Sequence, residues 1–181
     1  LLAPLVGLSA GGLDPAERER IHQQQQARSE METKRNEQQR QKAARRAVAI
    51  LRECEPGPSA YLTAKALGSM SALINRYVIA VGTLTFPAGS LVVPLTDEKG
   101  ELVNVQLIDD RGGKSYLAGG RKAGAFHRIE GGELVAVVEG VATGLSVHLA
   151  TGATVYCAMD AGNLLAVAKI ARLLHPNAQI L

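Results

Sequence analysis

Residues 131–181 carry the pattern that most restricts the fold. Two apolar runs, Glu133-Leu134-Val135-Ala136-Val137-Val138-Glu139 and Ala153 to Met159, are continuous rather than alternating. That is the signature of strands covered on both faces, as in parallel sheets. Each run leads into a helical segment: VATGLSVHLATG, ending at Gly152, and Asp160 to His175, closed by His175-Pro176. Ala178-Gln179-Ile180-Leu181 then begins a third strand. The order β-α-β-α-β predicts a doubly wound parallel unit, with right-handed crossovers folding both helices back onto the sheet. A sequence that starts without Met and stops inside a strand is expected to be a piece of a longer protein.

The upstream part is built differently. Leu13-Asp14-Pro15-Ala16-Glu17 combines a capping acid, a proline suited to the first helical position and a glutamate completing a capping box. Neither Gly nor Pro follows before Pro56, and Gln, Arg, Glu, Lys and Ala dominate, so a helix over 14–54, about 60 Å long, is predicted. Its middle, HQQQQARSEMETKRNEQQRQK, has no apolar stripe. Only Ala43, Ala44, Ala47, Val48, Ile50 and Leu51 form a face that can pack. The rest is expected to be solvated or to pack on another chain or domain. A basic, nucleic-acid-binding helix is the sharper alternative, weakened by the acids interleaved with the bases.

Glu55-Pro56-Gly57-Pro58 breaks that helix, and SAYLTAKALG reads as a short second one between a Ser59 cap and a Gly68 stop. VIAVGTLTF, SLVVPLT, ELVNVQLI and KSYLAG punctuate like antiparallel strands, turned at DEKG and DDRGG. Period two puts Val103, Val105 and Leu107 on one face and Asn104 and Gln106 on the other. The expected fold is α/β, or α+β taken as a whole, in three parts. Residues 1–57 form an apolar lead and long polar helix, 58–130 a small α/β subdomain with a strand meander, and 131–181 the parallel unit, cut off in its third strand.

Cysteine usage narrows the chemistry. Cys54 and Cys157 lie far apart and outside any CxxC or Cys/His spacing, so no zinc site and no disulfide framework is expected. Cys157, inside TVYCAM, reads as a buried thiol, and a reducing, cytoplasmic compartment fits. No apolar stretch reaches the roughly 20 residues that cross a bilayer, and LLAPLVGLSAGGL lacks the basic flank of a signal peptide. The net charge of +3 and pI of about 9.0 give a mild bias toward anionic partners. With 3% aromatics and no Trp, base stacking is a minor resource.

The chemistry-bearing positions are the strand ends. In open parallel sheets functional groups gather at the carboxyl edge, where Glu139 ends the first strand and Asp160 the second. Gly140 is read as allowing a tight turn and close approach by a ligand or metal. Two readings of Glu139 stay open: a base or Mg²⁺ ligand facing phosphate at the next helix N-terminus, or simply a cap for that helix. Asp160 reads first as a cap. No GxGxxG, P-loop or GxSxG occurs, and GGRKAG at 119–124 matches no phosphate fingerprint.

EGVATGLS at 139–146 followed by VYCAMDAGNL at 156–165 resembles the Toprim domain of plasmid- and prophage-encoded DNA primases, including the conjugative-transfer type. That group has an EG-ATA-S-like motif and, one β-α unit later, a DAGNL-like motif. AYLTAKALG, LVVPLTDEKGELVNVQLID and GGKSYLAGG are similar to the subdomain that precedes Toprim there. The resemblance covers roughly 58–181 and implies primer synthesis on single-stranded DNA from ribonucleotides by Mg²⁺- or Mn²⁺-dependent nucleotidyl transfer. It implies Glu139 as catalytic residue and metal ligand, with Gly140 beside it, and Lys114 as a nucleotide or template phosphate contact. Asp160 and Asn163 fall in the DAGNL motif without an assigned role. Arg111, Arg121, Lys122 and Arg128 are phosphate-contact candidates by charge rather than by motif. The family's further acidic motif is expected beyond Leu181, so the chain alone is expected to be inactive. A helicase or transfer protein is a further expected partner. The alternatives are a Toprim-type nuclease and a non-catalytic nucleic-acid-binding or assembly module.

Overall fold

The computed structural model describes residues 14–181, so the apolar lead lies outside the described residues. By its contacts the chain separates into residues 1–37 and 38–181; the boundaries read at 57 and 130 both fall inside the second unit. Helix α1 runs Pro15–Arg52, and the Asp14 carbonyl accepts from Glu17 and Arg18 N–H at its start. Within the first unit every described residue is exposed, as its lack of an apolar stripe requires.

In the second unit, a five-stranded antiparallel sheet has the order β1-β2-β5-β6-β7, from Cys54–Gly57, Ala72–Asn75, Leu91–Thr96, Leu102–Ile108 and Lys114–Tyr116. Proline in the stretch 54–57 ends the helix, yet the same stretch forms the edge strand β1, the place where a sheet tolerates Pro56. VIAVGTLTF is not one strand: β3 (Ile79–Val81) and β4 (Leu84–Phe86) form a hairpin whose turn includes Gly82 at φ +60°. Ala43, Ala47 and Ile50 of α1 pack with Phe86, Val92, Val105 and Leu107 on one face of the sheet. Helix α2 (Ala60–Ala64) covers the other through Tyr61 and Leu62, against Leu91, Val93, Leu95 and Ile108. Each such fully buried aliphatic contributes about 1.5–3 kcal/mol.

Two expectations fail here. Gly68 does not stop α2; the helix ends at Ala64, and Ala66 takes the left-handed position (φ +60°) with Leu67 N–H donating to Leu62 O and Ala66 N–H to Thr63 O. This is a Schellman ending with Ala where Gly is usual. Val103 does not share a face with Val105 and Leu107, because the register moves from Leu95↔Asn104 to Thr96↔Leu102 and leaves Val103 as a bulge. At the bulge the buried Asn104 accepts from Leu117 N–H (3.2 Å) and donates to Arg121 O (3.2 Å), drawing in the loop that follows β7. A Cβ on Gly120 would lie 2.4 Å from Asn104 Nδ2, so only glycine permits that approach.

The parallel unit forms as expected in its core. β9 (Gly132–Val138) and β10 (Ala153–Cys157) are parallel, with α3 (Val141–Thr151) between them, closed by Gly152 at φ +69°. Thr151 and Gly152 thus end α3 where the pattern placed the stop. After β10 a 3₁₀ turn (Ala161–Asn163) leads into α4 (Leu164–Leu174). Residues 179–181 run parallel to β9 on its other side, with Val135 N–H donating to Gln179 O (3.1 Å) and Val137 N–H to Leu181 O (2.9 Å). Val147 of α3 packs with Ala136, Val138, Val155 and Cys157, whereas Val167 and Ala171 of α4 pack with Val135, Val137, Tyr156 and Ala158. The two helices therefore cover opposite faces. Strand β8 (His127–Ile129), not foreseen, adds an antiparallel edge to β10 and reaches back to the larger sheet through the Thr96↔Phe126 bridge. Among the described residues no helix is long and apolar enough to cross a membrane.

Candidate functional site

β9 lies between β10 and the 179–181 segment, so the chain crosses to one side of it and then to the other. This makes the carboxyl end of β9 the switch point, where open α/β sheets bind ligands. Glu139 is the next residue and is exposed, and among the described residues its carboxylate has no hydrogen-bond or ion-pair partner. It does not cap α3: the cap position belongs to Gly140, and no side chain satisfies the first turn. An uncapped helix start presents N–H groups and a positive dipole end suited to an anion.

Glu139 borders a cleft of about 500 Å³. Gly140, Ala142, Thr143 and Ser146 form its α3 side, Tyr61, Lys65 and Leu67 the opposite side, and Lys114 of β7 completes it. The Lys114 ammonium lies 5.4 Å from the centroid of the Tyr61 ring. One carboxylate thus shares the lining of the cleft with two ammonium groups. Gly140 has an ordinary extended backbone (φ −128°), so the tight-turn reason for it does not hold. A Cβ there would meet nothing within 4 Å, so what glycine preserves is open space beside Glu139.

Tyr116 links this edge to β10. Its hydroxyl donates to Met159 O at 2.7 Å, and the Lys122 ammonium lies 4.4 Å from its ring centroid. Burial, and then the carboxylates of Asp160 and Glu139, push its phenol above the ordinary range, so both acids flank it. Among the described residues, the two non-glycine residues of positive φ, Ala66 (+60°) and Met159 (+65°), adjoin this region. Ala66 stands between Lys65 and Leu67 of the cleft, and Met159 precedes Asp160. Such strain, of order 1–3 kcal/mol, concentrates at functional positions.

The other candidates separate. Asp160 caps the 3₁₀ turn, accepting from Gly162 N–H at 2.8 Å. Asn163 is buried: its Nδ2 donates to Ala125 O (2.8 Å) and Ala158 O (2.9 Å), and its Oδ1 accepts from Gly124 N–H (2.8 Å). It fastens the GGRKAG loop to the end of β10. Arg121 pairs with Asp97 (3.3 Å) and Glu98 (2.9 Å), and Arg128 with Glu130 (2.9 Å). Arg128 borders a different cleft, of about 460 Å³, that includes Asp97 and Glu98. Arg111 is exposed in the β6–β7 turn, whose Gly112 approaches the Tyr61 ring. Tyr61, Lys65, Thr143, Ser146 and Tyr116 carry no role in the sequence reading, although each lies within a stretch that carries the resemblance: AYLTAKALG, EGVATGLS or GGKSYLAGG.

The described residues do not by themselves make a magnesium site. Glu139 is the sole carboxylate lining the cleft, and among the described residues no group of three or more His, Cys, Asp or Glu is placed to hold an ion. Mg²⁺ is usually held by one or two carboxylates together with substrate phosphates.

The chain is similar to a DNA primase TraC of Escherichia coli, 30% identical over 176 residues, which is 91% of this chain and 16% of that primase. It is also similar to a second DNA primase TraC of Escherichia coli, 28% identical over 130 residues, 68% of this chain and 8% of that protein. The chain therefore spans less than a fifth of the length of these curated relatives. No family model matches it, and no solved structure matches it.

Proposed function

We propose that this chain is the part of a DNA primase that carries the nucleotide-binding edge of a Toprim-type unit, in a protein that makes RNA primers on single-stranded DNA. The observation carrying this reading is the cleft whose lining Glu139, at the carboxyl end of β9, shares with Lys114 and Lys65 beside the uncapped start of α3. Similarity to the two primases supports it. In this reading Lys114, Lys65 and the α3 N–H groups bind the phosphates of a ribonucleotide, which needs charge and donors but no base readout. Tyr61 keeps Lys114 over its ring, and Gly140 leaves room for the ligand. Glu139, without a partner among the described residues, is placed to accept a proton from an attacking hydroxyl or to join a metal site. The metal that nucleotidyl transfer requires needs ligands besides Glu139. Residues 179–181 run alongside β9 toward the edge where Glu139 lies, so in a longer chain their continuation reaches the same edge.

One observation favours a second reading, a binding module that retains the fold: among the described residues the cleft has a single carboxylate. The experiment has two arms. Binding of a ribonucleoside triphosphate to this chain is expected to weaken about tenfold or more on Lys114→Ala, the value of one charge-assisted contact. Primer synthesis by a longer protein containing the chain is expected to disappear on Glu139→Ala. Triphosphate binding indifferent to Lys114 removes the site. Synthesis that persists without Glu139 removes its catalytic role, and binding without synthesis in either protein leaves the module.

A further inference from the structure

A second basic surface shares no residue with the Glu139 cleft. Charge along α1 is uneven: from Pro15 to Glu37 five bases are matched by five acids, but from Gln38 to Arg52 there are five bases and no acid. Arg40, Lys42, Arg45, Arg46 and Arg52 are all exposed, while Ala43, Ala47 and Ile50 bury the opposite side. Lys42, Arg45 and Arg46 share one ridge by their three- and four-residue spacing. Lys42 and Arg46 border a groove of about 300 Å³ against Leu117, Ala118 and Gly119.

The stretch 76–80 lies along the same part of α1. Arg76 N–H donates to Glu53 O (3.4 Å), and Arg46 Nη2 donates to Ala80 O. Between these ties stands Tyr77, 57% exposed, the sole exposed ring among the chain's two Phe and four Tyr. Its carbonyl is held by Asn75 Nδ2 at 2.7 Å, and the Arg76 guanidinium lies 5.6 Å from its ring centroid. Exposed Val78 and Leu84 extend the apolar character of the spot. The acids nearby are Glu53 and Glu55, the latter 3.9 Å from Arg76.

An aromatic platform on a rigid backbone next to a basic ridge is what single-stranded nucleic acid requires: a face for a base and cations for the phosphates. An acidic protein would suit the charges but gives no reason for the exposed ring. We infer that Tyr77 and the basic segment of α1 form a track for single-stranded nucleic acid, with a base stacked on Tyr77 and Lys42, Arg45 and Arg46 on the backbone. That the strand serves as template rests on the primase reading; the binding does not.

The test is fluorescence anisotropy of a short labelled oligothymidylate with the full chain. Tyr77→Ala is expected to weaken binding by about five- to a hundredfold, the range for losing one stacked base, whereas Tyr77→Phe keeps the affinity. Lys42→Ala combined with Arg45→Ala is expected to reduce the slope of log affinity against log salt by about 1.4, two single-strand phosphates. Tyr77→Ala is expected to melt as the parent does and to bind ribonucleoside triphosphate unchanged. Absence of oligonucleotide binding, or Tyr77→Ala binding as tightly as the parent, overturns the track. So does displacement of the strand by polyglutamate with equal affinity whether or not Tyr77 is present. None of these outcomes touches triphosphate binding through Lys114, which judges the primase reading separately.

Discussion

Replacing Asn163 tests whether the DAGNL-like motif is structural or contacts ligand. Its side chain makes three hydrogen bonds, to Gly124 N, Ala125 O and Ala158 O at 2.8, 2.8 and 2.9 Å, and all four residues are buried. Asn163→Ala leaves one N–H and two carbonyls without partners. Each such buried group costs about 1–3 kcal/mol. The three share one spot and relax together, so their costs do not add in full. The net expectation is about 2–4 kcal/mol. For a unit of this size that lowers Tm by roughly 6–12 °C, read by thermal and urea unfolding. Asn163→Asp sharpens the result, since it keeps an acceptor for Gly124 N–H but sets a carboxylate against two carbonyl oxygens. Its folded pKa must rise, so the variant gains stability as pH falls through that raised value. A Tm change below about 2 °C, accompanied by loss of nucleotide or oligonucleotide binding, refutes the structural assignment.

Gly144→Ala puts a Cβ 2.4 Å from Cys157 Sγ at the α3–β10 contact and is expected to cost about 1–3 kcal/mol in urea unfolding, partly recovered by adding Cys157→Ala. Gly140→Ala, whose Cβ meets nothing and whose backbone is ordinary, is expected to change stability by less than about 0.5 kcal/mol while weakening triphosphate binding. Burial pushes the Cys157 thiol up to about 12, so in thiol titration near neutral pH it is expected to react only after unfolding. Cys54, half-buried and raised by burial and then by Glu53, is expected to react slowly in the folded chain. Burial lowers the His127 pKa, opposed by its hydrogen bond to Pro94 O, so below about pH 6.5 the unfolded chain takes up the proton first and stability falls on acidification. His127→Asn, which retains a donor without titrating, is expected to flatten that slope in Tm measured against pH.

What could be read in advance follows from the range over which each feature is encoded. The β9-α3-β10 unit was legible because continuous apolar runs and a left-handed Gly152 are local signals with one physical meaning. The Val103 bulge was not, since period two is correct until the register shifts, and the shift depends on what β5 and the Asn104-bound loop require. β8 escaped because three residues, His127–Ile129, carry no periodicity; their pairing with β10 exists only once β10 is in place. The Ala66 ending of α2 defied the preference for Gly, and Gly68 drew the stop two residues too far.

The candidate site divides along the same line. Glu139 and Lys114 belong to motifs and meet in one cleft, yet Lys65 joins them only because α2 folds across the sheet. Tyr116 is tied to the end of β10 by its hydroxyl on Met159 O, a contact between distant parts of the chain. Charge alone was the weakest guide. Arg121 and Arg128, read as phosphate contacts, are engaged by Asp97, Glu98 and Glu130, acids that the local sequence does not mark as their partners. The exposed bases of α1 were discounted because acids were averaged over its whole length. Averaged over the turns that pack on the sheet, the charge is of one sign, and Tyr77 stands beside it. A cation's meaning here depends on the carboxylates within a few ångströms, which only the folded chain supplies.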